Sequence, residues 1–290
     1  MGSVGSVGRN GTIVVALVLG ILAGACVPAS WGADRLLYPK RRPAMQQPVA
    51  SFEVVQFEGE GVKLAGRWFH TRDKRGTVVF LHGMSDNRAS GGDITDHFVA
   101  RGFEVITYDS RAHGESEGNA CTYGYYEKRD LERVLDRVEA RPIVVMGFSM
   151  GAAVALQAAA VDRRINAVVA VSPFSDLRTI AEERAPFFAT RHDIDRVFKL
   201  AEQRAKFRAD EVSPLAAAAH ITVPALIIHG ARDSKTQPDH SQRIFAALRA
   251  PKELILVPNR GHRRPLTEDV WREIDAWIDA AVFEPDNPLD

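Results

Sequence analysis

Two cysteines, Cys26 and Cys121, are all that the 290 residues contain. They do not form a disulfide framework, and Cys121 reads as a half-buried thiol. No sign of charge dominates, since 37 Lys and Arg balance 37 Asp and Glu. The electrostatic footprint of a nucleic-acid binder is therefore missing, and no nucleic-acid partner is expected. Lys40-Arg41-Arg42 and Arg263-Arg264 read as solvated surface. There is no H-x-x-x-H pair, no Cys/His cluster at ligand spacing and no phosphate-cradling glycine loop, so no metal or cofactor is expected. Internal repeats are lacking too. What is present is a 46% hydrophobic chain of a length that suits one large α/β domain plus extras.

The extras lie at the N-terminus. Met1–Asn10 is a Gly/Ser-rich leader holding Arg9, and Thr12–Ala25 is an uncharged apolar run. That is signal-peptide anatomy, followed by small residues leading into Cys26. Ala23-Gly24-Ala25-Cys26 resembles the lipobox of bacterial lipoproteins, which makes Cys26 a lipidation candidate. The competing reading is an uncleaved anchor from about Gly11 to Ala29, marginally long enough to span a bilayer. Residues 1–30 are thus expected to export or tether the protein, giving it a membrane association. Residues 31–50, which contain Pro and Arg, read as a linker to the domain.

From residue 51 to about 285 the pattern is that of one domain. Ser51–Glu58 and Val62–His70 read as a hairpin around Gly59-Glu60-Gly61. Strands are then expected at Thr77–Leu81, Phe103–Tyr108, Ile143–Met146, Ala167–Val171, Ala225–His229 and Glu253–Val257. Helices are expected at Asp93–Arg101, Tyr126–Arg141, Ala152–Ala160, Asp239–Ala250 and Thr267–Val282. This alternation predicts a mostly parallel central sheet with helices on both faces. Residues 174–212 break it. They lack a strand candidate and read as an inserted helical cap, with a helix near Ile194–Phe207.

The chemistry centres on Gly147-Phe148-Ser149-Met150-Gly151. A β-branched apolar run precedes this G-x-S-x-G pentapeptide, and an Ala-rich run follows it. Strand, sharp turn and helix together present a serine hydroxyl at the end of a helix. A serine needs a base, and the base needs an orienting partner. Ligands of an open α/β sheet sit beyond the carboxyl ends of its strands. After Ala225–His229 comes Asp233, and after Glu253–Val257 comes His262. A lone post-strand Asp is ordinarily a turn or cap residue, and a lone His is ordinarily surface or structural. Their joint placement and the order Ser, Asp, His raise both. Ser149, Asp233 and His262 are the expected nucleophile, orienting acid and base. The backbone N–H groups of Met84 and Met150 are the expected oxyanion donors. His70, His97, His192 and His240 have no supporting context, and His229 reads as packing within its strand.

These motifs, together with His82-Gly83, Asp109-x-Arg111-x-His113-Gly114-x-Ser116, His229-Gly230-x-x-Asp233 and Gly261-His262, resemble the α/β-hydrolase fold serine hydrolases. The nearest likeness is to the lysophospholipase-like and esterase-like group with an N-terminal membrane segment. Ala112 stands where that family usually has glycine. The resemblance implies hydrolysis of a small-molecule ester or lipid-like substrate through an acyl-enzyme, without a cofactor. An acyltransferase, a peptidase and a non-catalytic membrane-tethered binding protein stay open as alternatives.

Overall fold

The computed structural model describes residues 28–262 and 265–283. The leader, the apolar run, Cys26 and the Arg263-Arg264 pair lie outside the described residues. Among the described residues no helix is long and apolar enough to cross a membrane.

Strands β1 (Glu53–Glu58) and β2 (Lys63–Phe69) form the antiparallel hairpin. They join β3 (Thr77–Leu81), β4 (Glu104–Tyr108), β5 (Ile143–Phe148), β6 (Ala167–Val171), β7 (Ala225–Gly230) and β8 (Lys252–Val257) in one sheet. Its order is β1-β2-β4-β3-β5-β6-β7-β8, and every pairing from β4 to β8 is parallel. The continuous apolar runs follow from burial on both faces. In β5, Ile143 and Val145 face one core and Val144 and Met146 the other. Helices α3 (Glu127–Leu135), α4 (Met150–Ala159) and α8 (Pro238–Ala247) cover the first face. Helices α2 (Gly92–Ala100) and α9 (Glu268–Ile278) cover the second.

The cap between β6 and β7 holds α5 (Leu177–Glu183), α6 (Arg191–Ala205) and a 3₁₀ turn at Ala209–Glu211, before the short α7 (Pro214–Ala218). A capping box starts α6: Thr190 Oγ1 accepts from the Asp193 N–H, and the Asp193 carboxylate accepts from the Thr190 N–H. Phe198 and Phe207 pack the cap onto Cys121, Met150 and Phe174.

Two expectations need correction. The linker at 31–50 begins with helix α1 (Ala29–Leu37), whose Ala33 and Leu37 are fully buried in the cap cluster. Its stability comes from a partner far along the chain, since a Cβ on Gly32 would lie 2.4 Å from Val197 Cγ2 of α6. The helix expected over Tyr126–Arg141 ends at Leu135. The chain leaves the helix in a turn at 136–137 and runs on to β5 at Ile143, and Pro142 disfavours helical backbone at Arg141.

Ala112 adopts φ +62°, a conformation that costs an L-residue about 1 kcal/mol relative to glycine. Ala112→Gly is accordingly expected to raise Tm by about 2–4 °C in thermal unfolding. An unchanged or lower Tm would show that the loop relieves this strain elsewhere.

Candidate active site

Ser149 sits between β5 and α4 with φ +53° and ψ −109°. This strained turn is enforced on both sides. A Cβ on Gly147 would lie 2.3 Å from the Gly151 backbone, and one on Gly151 would lie 2.1 Å from Leu81 O. Both positions therefore require glycine, and α4 starts hard against the end of β3. Ser149 N–H donates to Val171 O at 2.8 Å, tying the turn to β6.

The three expected side chains meet. His262 Nε2 lies 3.1 Å from Ser149 Oγ, and its Nδ1 lies 2.6 Å from Asp233 Oδ2. Ser149 and His262 are 113 residues apart in sequence, and the sheet brings them together. With Asp233 ionised, Nδ1 carries the proton and Nε2 is the acceptor for the Ser149 hydroxyl.

Asp233 is held from several directions. Its Oδ1 accepts from the Lys235 N–H at 2.8 Å and the Thr236 N–H at 3.0 Å. Its Oδ2 lies 3.2 Å from His229 Nε2, which also donates to Thr236 O at 2.8 Å. His229 Nδ1 accepts from Ser241 Oγ at 2.6 Å. Burial alone would raise the Asp233 pKa, but the hydrogen bonds from His229, His262 and the Thr236 amide hold it well below the usual carboxylate range. His229 is thus more than packing: it orients the carboxylate that orients His262.

Met150 is the first residue of α4, where the backbone N–H has no partner within the helix. Met84 follows β3 and borders the same cleft as Ser149 and His262. His82 secures this segment: Nδ1 donates to Gly83 O at 2.8 Å, and Nε2 accepts from the Ser110 N–H at 2.9 Å. The cleft has a volume of about 1640 Å³, and Asn87, Asp93, Lys235 and Trp271 contribute to its walls. Among the described residues no group of three or more His, Cys, Asp or Glu side chains is placed to hold a metal ion.

Beneath the site, His82 and His113 meet edge to face at 5.0 Å. Burial lowers the His82 pKa to about 4. It does the same for His113, also to about 4, with the His82 charge acting in the same direction. Unfolded histidine titrates near 6.5. Between these values the unfolded chain binds more protons, so stability falls as pH drops from about 6.5 to about 4 and this contribution levels off below. The pair accounts for a loss on the order of 5 kcal/mol. Urea midpoints should fall across this window, and the fall should shrink in His113→Asn. A midpoint independent of pH there would contradict neutral burial of the pair.

A profile described as the alpha/beta hydrolase family matches residues 78–276. The uncharacterized protein YqkD of Bacillus subtilis is 31% identical over 222 residues, covering 72% of each chain. The uncharacterized protein YfhR of Escherichia coli K12 is 27% identical over 253 residues, covering 82% of this chain and 84% of its own. Among solved structures, an esterase of Pyrococcus furiosus superposes with a TM-score of 0.70 at 23% identity, covering 85% of this chain and 98% of its own. An acetyl xylan esterase of Paenibacillus superposes with a TM-score of 0.64 at 19% identity, covering 88% and 92%. These two likenesses speak to the fold. Strand order, glycine-locked turn and profile match agree: the chain belongs to the alpha/beta hydrolase family.

Proposed function

We propose that this protein is a serine hydrolase that cleaves carboxylic esters, lipid-derived ones included, through Ser149, His262 and Asp233. The observation that carries this reading is the continuous path Asp233–His262–Ser149, at 2.6 and 3.1 Å. As Ser149 Oγ attacks the ester carbonyl, His262 Nε2 takes its proton. Asp233 keeps the proton on Nδ1 and stabilises the imidazolium. The tetrahedral oxyanion accepts from the Met84 and Met150 amides. His262 returns the proton to the alcohol as the C–O bond breaks, leaving an acyl-Ser149. Water then attacks with His262 as base, and the acid departs as Ser149 regains its proton.

Labelling of the full chain with a fluorophosphonate tests this reading. An adduct on Ser149, absent in Ser149→Ala, supports it. No adduct on protein with a native circular-dichroism spectrum overturns it. The exported, tethered form rests on the sequence of residues 1–26 alone. Acyl labelling beside Cys26→Ser tests it, and unchanged labelling and membrane partition would exclude a lipid on Cys26.

A further inference from the structure

We propose that the cavity between α1 and the cap helices is the acyl-chain subsite of the Ser149 site, with α1 supplying one of its walls. This rests on the reading of Ser149 as nucleophile and adds to it the part of the substrate that enters each space.

The cavity, of about 750 Å³, adjoins the catalytic cleft. Arg35, Met84, Ser85 and Arg184 line both spaces, so the two meet beside the expected oxyanion residue Met84. The two spaces differ in chemistry. Leu36, Leu177, Ile180, Ile194 and Val197 give the cavity apolar walls. The cleft beyond Ser149 is mixed, presenting Asp86, Asn87, Asp93 and Lys235 beside Phe148, Leu266 and Trp271. A carbonyl at Ser149 would thus have a place for a hydrocarbon chain on one side and a polar alcohol on the other. The chemistry fits an amphiphilic ester with a hydrocarbon acyl group.

Helix α1 is fixed rather than loosely apposed. Tyr123 Oη donates to Leu36 O at 2.8 Å, the Cys121 N–H donates to Leu37 O at 2.8 Å, and Arg204 pairs with Asp34 at 2.6 Å. The turn between Pro186 and Ala189, whose ends line the cavity, carries Phe187 at 98% and Phe188 at 50% exposure. That turn offers an apolar approach for a chain leaving water.

Each methylene buried should raise kcat/KM about fourfold. The test uses full-length protein and p-nitrophenyl acetate, butyrate, octanoate and dodecanoate. The wild type should prefer octanoate over acetate. Ala181→Phe on α5 and Ile194→Trp on α6 fill the cavity from different helices. Each should lower the octanoate-to-acetate ratio of kcat/KM at least about tenfold, whereas Ile194→Ala should move the optimum to a longer chain. Binding of dodecanoate to Ser149→Ala, followed by calorimetry, is independent of turnover, and it should weaken about tenfold when Ile194→Trp is added. Absence of Ser149-dependent turnover on every ester would defeat the nucleophile reading, with the dodecanoate measurement still deciding the cavity. Ratios and dodecanoate affinity unchanged in both filled variants would overturn the subsite.

Discussion

Ser149→Ala is expected to lower kcat for p-nitrophenyl esters by about 10⁴-fold or more, with the fold intact. The expectation rests on where the hydroxyl stands. It is the atom that His262 Nε2 approaches at 3.1 Å, and alanine leaves that nitrogen without a proton to take. Removal of a triad nucleophile costs up to about 10⁶ in kcat, and what is left comes from the oxyanion donors and binding. Alanine inherits the same strained backbone, with φ +53°, so the two proteins should unfold at similar temperatures. KM should change little, because the lost interaction forms with the reacting carbonyl. Measurement of kcat and KM with active-site titration of the wild type checks this. A residual rate within tenfold of wild type would place the nucleophile elsewhere.

Asp233→Asn produces the next largest effect, a fall in kcat of about 10⁴-fold. The carboxylate accepts from His262 Nδ1 and so keeps Nε2 free to receive a proton. An asparagine amide facing Nδ1 as a donor selects the opposite tautomer, with the proton on Nε2 and the imidazole useless as a base. Here the carboxylate also serves His229 and the amides of Lys235 and Thr236. Asn can still accept at one oxygen, so the turn after β7 should persist. The double variant Ser149→Ala/Asp233→Asn should be no slower than Ser149→Ala alone, since the residues act as a unit. Additive losses would show that Asp233 acts through something other than His262.

The centre of the sheet was legible because its strands are buried on both faces and read as uninterrupted apolar runs, Thr77–Leu81 and Ala167–Val171 among them. The site was legible because Ser149 and Asp233 follow such runs within three residues, and His262 follows the apolar stretch of the edge strand β8. Helix α1 was hidden for the opposite reason. Nine residues carrying Trp31 and Gly32 have little helical preference alone, and the surface that stabilises them belongs to α6, over 150 residues later. The role of His229 was hidden by its position inside an apolar strand. Only the fold shows that its ring turns toward Asp233 and Ser241. The early end of α3 is a tertiary demand on a segment whose Glu/Arg spacing favours a longer helix.

Strand β8 has one hydrogen-bonded neighbour, and most of its residues are partly or fully open to solvent. It nonetheless delivers His262, whereas Ser149 follows a strand buried up to its last residue and Asp233 follows one buried throughout. Edge elements of this kind open at a smaller free-energy cost than the core. The proposed base therefore rides on an edge of the sheet, and the proposed nucleophile on its centre. On gentle heating, turnover should fade while the far-ultraviolet spectrum is still native and amides of β5 still resist exchange. Coincident loss of all three would tie the base to the global transition. The expected working ceiling of the proposed activity is then the integrity of one edge strand rather than the melting of the domain.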